Sequence, residues 1–402
     1  MKRKERLKTA LIILLTAGAV VLGSLTGIFD NLGRHGTAPE NREENPAEYT
    51  AAAFPLTAAY SASTGLRYGV KYSSAEIAEL YGHTAAALGE ALGSASKLSE
   101  MSESAWITAL SGAGLFLDYG ADIPLDALAL WLGTELRAGV SGSARRMMLS
   151  PDGSGGVHIA FQNADGFQTC STMSRWSSFV SELSSFFPNG AVFAFEKDSL
   201  KNAEKYELIL ETLPEVHTVR ASAGRSGRSG TIPDMSMSVS YTEADGTVVY
   251  PEDNGIVKFG PDGTVSYTSD KPHIRAEGTA AMIEKARSVL EGIREEGKGD
   301  EGLYFTGMEQ SDGAVRLYFD YFIDGLKITQ RGDTAAEAEF KNGGLVYLRI
   351  KLRAYTRTAA DCELLPELQA AAAAAEMKQG GSAVLEYYDG GSELLAPRWT
   401  VR

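Results

Sequence analysis

The sequence has little of what metal-binding and disulfide-rich proteins need. Its 402 residues contain only two cysteines and five histidines. Two cysteines exclude a disulfide-dense scaffold and any site with four thiolate ligands, and they leave a single bridge between Cys170 and Cys362 open. No two histidines lie within ten residues of each other, so there is no local pair of imidazole ligands. The sequence therefore predicts no metal site and no cofactor.

The sequence also has fewer basic than acidic side chains. The chain carries 38 basic and 52 acidic side chains, a formal net charge of −14. The first 29 residues take five of the basic and one of the acidic groups, so the rest carries 33 against 51, a net charge of −18. A nucleic-acid-binding protein needs a basic surface, so this class is disfavoured. The negative balance favours solubility and disfavours close contact with anionic lipid headgroups.

Long apolar runs are absent except at the N-terminus. Residues 1–8 contain five basic side chains and predict a short cytoplasmic segment, and residues 9–29 follow without a charge. About 20 apolar residues are needed to span a bilayer, so residues 9–29 predict a single transmembrane helix with its basic flank inside the cell. The alternative is a cleaved signal peptide, whose apolar part is usually shorter. We expect N-terminal sequencing of the mature protein to find the helix retained; a chain beginning near Ser24 would contradict this.

The remainder predicts an extracytoplasmic α+β protein of antiparallel β-meanders with packed helices, in two subdomains. Residues 30–55 are polar and predict a linker, residues 56–270 a first region and residues 271–402 a C-terminal region. Ser73 begins a capping-box pattern before an amphipathic helix over residues 74–93. Short strands and hairpin turns follow from about residue 143, and residues 205–213 predict a helix.

The C-terminal region repeats this mixture of helix and strand signals. Residues 278–296 have apolar side chains at helical spacing, and four strand-like runs follow. Pro366 then precedes an alanine-rich segment of high helix propensity, and a final hairpin ends the chain. The order of helix, meander, helix and hairpin is typical of an α+β domain.

Motifs for catalysis are missing. The sequence contains no H-E-x-x-H, C-x-x-C, Walker A or G-x-S-x-G pattern. Residues 94–97 fit S-x-x-K, but its companion motifs are absent, so a helix end is the better interpretation. Asp118 interrupts an apolar run and is either a turn carboxylate or a catalytic one. Four Asp-Gly pairs, which begin at residues 152, 262, 312 and 389, predict turns between strands. We expect no enzyme.

Two stretches resemble the YycH and YycI proteins. The first is the "LDYGADIP" segment within residues 104–133. The second is residues 315–402, with an "F.Y..DG" strand, the alanine-rich helix and a closing "L.P.W.V". The matching positions are Asp118, Tyr119, Gly120, Ile123, Pro124, Leu395, Pro397, Trp399 and Val401. The single N-terminal anchor after a short basic segment also fits this family.

The resemblance implies regulation without catalysis. YycH and YycI proteins are extracytoplasmic accessory proteins of a two-component system that controls cell-wall metabolism, and they modulate the WalK sensor histidine kinase partly through their transmembrane helices. The implied partner here is a WalK-like kinase, with a second accessory protein or a second copy of this chain left open. Small residues allow membrane helices to approach closely, so Gly18, Ala19, Gly23 and Gly27 are the candidate transmembrane interface.

Two other functions remain open from the sequence. One is an anchored extracytoplasmic binding module, PepSY-like or specific for a cell-wall or peptide ligand, which a ligand-sized apolar pocket would favour. The other is a hydrolase with an unrecognised site, which carboxylates with perturbed pKa values converging in a cleft would favour.

Overall fold

The computed structural model describes residues 54–63, 65–224, 232–233, 235, 237–294, 299–331 and 334–402. None of the helices in these ranges combines the length and the apolar character that a bilayer crossing requires. The predicted cytoplasmic segment, the predicted transmembrane helix and nearly all of the predicted linker lie outside the described residues.

The described residues form six α-helices, and local signals explain where several of them begin. Ser73 Oγ accepts a hydrogen bond from the backbone N–H of Glu76, as the predicted capping box requires. Pro124 and Pro366 each immediately precede a helix. The helices are α1 Ser74–Gly93, α2 Glu103–Ser111, α3 Leu125–Trp131, α4 Trp176–Leu183, α5 Thr279–Arg294 and α6 Glu367–Met377. The predicted helices at 74–93, at 278–296 and after Pro366 are thus confirmed.

Seven strands form the first sheet, and every neighbouring pair is antiparallel. The strands are β1 Thr57–Ser63, β2 Leu66–Lys71, β3 Ser99–Glu100, β4 Gly114–Pro124, β5 Ser143–Pro151, β6 Gly156–Asn163 and β7 Gly166–Arg175. Their order is β2-β1-β4-β5-β6-β7-β3. Helix α1 packs on this sheet and against α4.

A second sheet of eleven strands contains most of the C-terminal region. Its strands are β11 Tyr241–Thr242, β12 Val248–Glu252, β13 Gly255–Phe259, β14 Thr264–Thr268, β15 Gly302–Ser311, β16 Ala314–Ile323, β17 Leu326–Gln330, β18 Ala336–Lys341, β19 Gly344–Lys351, β21 Ala383–Asp389 and β23 Pro397–Val401. Their order is β11-β12-β13-β14-β19-β18-β16-β17-β21-β23, with β15 also paired to β16. The β17–β21 pair is parallel and the other pairs are antiparallel. The α+β class with antiparallel sheets is confirmed.

The strands of residues 241–268 belong to this second sheet, because β14 pairs with β19. A boundary at residue 270 therefore does not coincide with a boundary between the two sheets. The division into two regions stays a prediction. The described parts are joined by α3 and α5, which contact each other, and Trp131 Nε1 donates a hydrogen bond to Glu284 over 2.6 Å.

The bridging segment, residues 189–210, connects the first sheet to the rest of the chain. It contains two short strands, β8 Val192–Phe193 and β9 Leu208–Ile209, which pair with each other. The helix predicted over residues 205–213 is wrong. Leu208, Ile209 and Leu210 are all buried, as expected for a short strand enclosed on both faces.

Beyond the bridging segment, β10 His217–Ala223 lies between β20 Arg353–Asp361 and β22 Leu394–Leu395 in a small third sheet. The free edge of β20 is closed by two carboxylates. Glu301 accepts a hydrogen bond from the backbone N–H of Tyr355, and Asp300 accepts one from that of Arg357. Covering an edge in this way prevents pairing with another chain.

Candidate functional site

One face of the first sheet carries a group of charged side chains. Residues opposite each other in an antiparallel pair share a face, as do alternate residues of one strand. The register places Arg67 opposite Ser61, both Lys71 and Asp118 opposite Thr57, and Arg146 opposite Asp118. These four charged side chains therefore point to the same side of the sheet, where the bridging segment lies.

The junction cluster consists of Lys71, Tyr72, Glu207 and Glu367. Lys71 Nζ lies 2.6 Å from Glu367 Oε1, and the Glu367 side chain is fully buried. Glu367 Oε1 also accepts a hydrogen bond from Tyr72 Oη, and Glu367 Oε2 accepts one from the backbone N–H of Leu210. The cluster thus links strand β2, the bridging segment and the first turn of α6, whose N-terminus favours a carboxylate.

Glu207 is the poorly satisfied member of the junction cluster. Its Oε1 lies 3.5 Å from Lys71 Nζ, and its buried Oε2 has no hydrogen-bond partner. Lys71 donates instead to Glu367 and to the backbone carbonyl of Leu208. One ammonium therefore faces two buried carboxylates, and only Glu367 is well solvated by protein groups.

The pKa values in the junction cluster follow from this geometry. Burial raises the pKa of Glu207 to about 7; Lys71 opposes the shift, while Glu367 and Glu204 add to it. Burial alone would lower the pKa of Lys71, but Glu367, Tyr72 and Glu207 raise it well above its usual value. Lys71 therefore stays charged, and Glu207 gains or loses a proton near neutral pH.

A second buried cluster surrounds Arg146. Its Nε donates to Asp118 Oδ2 over 2.6 Å, and its two terminal nitrogens donate to the carboxylate of Glu204 over 2.8 and 3.0 Å. Asp118 Oδ1 accepts a hydrogen bond from the backbone N–H of Gly120, as a turn carboxylate does. Burial would raise the pKa of Asp118, but Arg146 and Arg145 hold it below its usual range. Asp118 is thus ionised, paired and enclosed.

Arg67 makes the third contact between the sheet and the bridging segment. Its guanidinium donates to both carboxylate oxygens of Glu196 over 2.8 and 3.2 Å. The same guanidinium lies over the Phe193 ring at 4.3 Å and donates to the carbonyl of Leu110 in α2. Arg67 and Arg146 therefore hold Glu196 and Glu204, and Lys71 donates to the carbonyl of Leu208. These contacts fix the bridging segment on the sheet.

All four Asp-Gly pairs lie at turns between strands, as predicted. Asp152 and Asp262 accept hydrogen bonds from backbone N–H groups two residues further along, and Asp312 occupies the left-handed region between β15 and β16. Asp389 differs, because it is buried at the end of β21. It accepts hydrogen bonds from Arg353 Nε and from Tyr355 Oη as well as from the backbone N–H of Gly391.

The S-x-x-K pattern has a structural role. Ser94 Oγ accepts a hydrogen bond from the backbone N–H of Met173, and Ser96 Oγ accepts one from that of Ser171. Both hydroxyls therefore cover the outer edge of β7. Cys170 and Cys362 are free thiols, so no bridge joins them. Within the described ranges, no three His, Cys, Asp or Glu side chains are grouped to bind a metal ion.

A small cavity lies between residues 213–216 and residues 361–364, with Cys362 in its wall. Its volume is about 240 Å³. Ligand pockets usually enclose roughly 300–1,000 Å³, so this cavity gives the binding-module alternative little support.

The candidate transmembrane interface, Gly18, Ala19, Gly23 and Gly27, lies outside the described residues, and it stays a prediction. The junction cluster was not among the sites predicted from the sequence. Its only local signals are charges inside apolar runs, Lys71 after Gly69-Val70 and Glu207 before Leu208-Ile209-Leu210. Such charges require buried partners, but the sequence does not say which ones.

The sheets and the segment between them define an α+β protein in which buried ion pairs bring together the charged side chains. A solved structure has the same fold. The crystal structure of YycH from Bacillus subtilis matches with a TM-score of 0.56 and 11% sequence identity, over 91% of this chain and 96% of that one. No protein-family model and no curated protein matches the sequence. The resemblance to YycH is thus confirmed as a shared fold.

Proposed function

We propose that this chain is a single-pass membrane protein with its N-terminus in the cytoplasm. Its extracytoplasmic part would act as a non-catalytic accessory protein that modulates a sensor histidine kinase of a cell-wall-related two-component system. The observation that carries the proposal is the YycH fold, which extends over 91% of the chain. The apolar run of residues 9–29 and its basic flank support the location in the membrane.

The charged side chains of the described residues agree with a role in binding rather than catalysis. Lys71, Arg146 and Glu367 are buried and paired within the protein. A general acid or base must reach the proton that it transfers, whereas these side chains are each engaged by an internal partner of opposite charge. The pairs instead join the first sheet, the bridging segment and α6 into one body that can present its surface to a partner.

Co-purification from the native membrane tests this proposal. The full-length tagged protein is expected to co-purify with a sensor histidine kinase in mild detergent. Deleting the gene for this protein is expected to change transcription of that kinase's target genes. A matched chain with an unrelated transmembrane helix in place of residues 9–29 separates anchoring from recognition. The proposal is wrong if the full-length protein recovers no kinase and its deletion leaves every two-component output unchanged.

The anchor helix is expected to contribute to kinase binding. Replacing Gly23 and Gly27 together by leucine keeps the segment apolar, so insertion should be unaffected. The larger side chains block close approach of two helix backbones, and we expect kinase recovery to fall several-fold. Quantitative immunoprecipitation measures this loss. The control replaces Ile12 and Ile13 by leucine, which alters no small residue. Equal kinase recovery with all three chains would assign recognition to the outer part alone.

A further inference from the structure

The junction cluster contains more carboxylates than cations in a nearly enclosed place. Lys71 and Glu207 each expose only 9% of their side chains, and Glu367 exposes none. If both carboxylates are ionised, the cluster has a net charge of −1. An isolated buried charge is costly, and a group in such a site usually takes up or releases a proton instead.

The hydrogen bonds identify which carboxylate holds the proton. Glu367 accepts from Lys71, from Tyr72 Oη and from the backbone N–H of Leu210, so both of its oxygens have donors. Glu207 has one long contact with Lys71, and its Oε2 has no partner. The proton therefore belongs on Glu207.

The groups that face Glu207 come from three parts of the fold. Lys71 and Tyr72 lie at the end of β2, Glu367 begins α6, and Glu204 lies on the bridging segment itself. Lys71 is the only cation among them. Tyr72 is neutral, because burial raises the pKa of its hydroxyl. Glu204 is already held by Arg146 and adds further negative charge.

We propose that the junction cluster is a proton-sensitive latch, which is closed when Glu207 carries a proton and loosened when that proton is lost. Deprotonation leaves a second negative charge beside Glu367 in the interior. Opening the contact between the bridging segment and α6 admits water and relieves that charge. The raised pKa of Glu207, about 7, places the change near neutral pH.

The packing around the cluster makes the loosening local. Helix α6 presents Ala370, Ala371 and Ala374 to Leu200 and Ala203 of the bridging segment, in a small core separate from the main one. Small side chains bury little apolar surface, so this contact depends strongly on the adjacent ion pairs. The main core, which includes both large sheets, is a separate cluster of buried side chains.

Hydrogen exchange at two pH values tests the latch in the full-length protein in lipid nanodiscs. Peptides covering residues 203–210 and 367–377 are compared at pH 6 and pH 8. The comparison uses protection factors, because a protection factor already corrects for the intrinsic pH dependence of exchange. The pKa of Glu207 is about 7 in the closed latch, and near 4.5 once water solvates the carboxyl in the open latch. Opening should therefore be about tenfold more frequent at pH 8 than at pH 6. We expect this tenfold loss of protection in the unmodified protein.

The Glu207→Gln variant mimics the protonated state and should show no such loss. The control, Glu376→Gln, changes an exposed carboxylate of the same helix and should retain the loss seen in the unmodified protein. The latch is refuted if the unmodified protein has equal protection at both pH values, or if Glu207→Gln loses protection to the same extent.

An infrared titration of the unmodified protein provides a test that needs no variant. The carbonyl band of a protonated carboxyl group should be present at pH 6 and should disappear with a midpoint near pH 7. If Glu207→Gln does not fold, this titration decides the matter: absence of the band at pH 6 would overturn the proposal. None of these measurements involves a kinase, so the latch and the proposed function can fail separately.

Discussion

The Lys71→Met variant is expected to lose about 3–5 kcal/mol of unfolding free energy. Lys71 is the only cation in the junction cluster, and its Nζ lies 2.6 Å from the fully buried Glu367. Methionine preserves much of the side-chain volume but leaves the buried carboxylate of Glu367 without its counter-charge. Removing one partner of a buried ion pair is far more damaging than never having had the pair, because the remaining charge stays desolvated. Urea unfolding followed by circular dichroism measures the loss.

Two further variants separate charge from packing in this experiment. Lys201→Met replaces an exposed lysine of the bridging segment and should change stability by less than about 0.5 kcal/mol. Adding Glu367→Gln to Lys71→Met removes the carboxylate that has lost its counter-charge, and this should recover part of the lost stability. A loss below about 1 kcal/mol for Lys71→Met would mean that the junction cluster does not hold the bridging segment and α6 together.

The Arg146→Met variant should also be strongly destabilised, by about 3 kcal/mol. Arg146 is buried and makes charge-assisted hydrogen bonds to Asp118 and Glu204 on opposite sides of its guanidinium. The loss should be smaller than for Lys71→Met, because Glu204 is about one-quarter exposed and can be solvated by water. Equilibrium unfolding in urea at neutral pH provides the comparison.

The fall of unfolding free energy at acidic pH provides a second test of the pairing between Arg146 and Asp118. The pKa of Asp118 is lower in the folded protein than in the unfolded chain. Its stabilising contribution is therefore present above the unfolded value, about pH 4, and is lost as the pH falls through the folded value. Arg146→Met should flatten this part of the profile. The control, Arg175→Met, changes an exposed arginine at the end of β7 and should cost less than about 1 kcal/mol. An unchanged acid limb in Arg146→Met would contradict the pairing.

The cluster around Arg146 also explains the role of Asp118, for which the sequence allows two interpretations. Asp118 could have been a turn carboxylate or a catalytic one, and it lies in the segment that resembles YycH proteins. In the structure it holds a turn through Gly120 and a buried cation through Arg146. The "LDYG" pattern is thereby explained by folding, with no reaction required of it.

Elements whose ends are marked by nearby residues could be predicted from the sequence. Ser73 caps α1, Pro366 precedes α6, and Asp312-Gly313 forms the turn between β15 and β16. Each signal acts within a few residues, where backbone conformation and hydrogen bonding are decided locally. The α+β class follows from the succession of such elements. The predictions of its partners and location likewise rest on the chain's acidity and its single apolar run, without any reference to a fold.

The tertiary structure alone decided which distant groups meet. Lys71 and Glu367 are separated by 296 positions, and no local pattern identifies one as the partner of the other. Residues 208–209 illustrate the same limit, because they are enclosed between the first sheet and α6 and become a strand despite a helical pattern. Burial from both sides outweighs local propensity there. A buried charge is visible in the sequence as an interruption of an apolar run, but its counter-charge is chosen by how the sheets and α6 pack together.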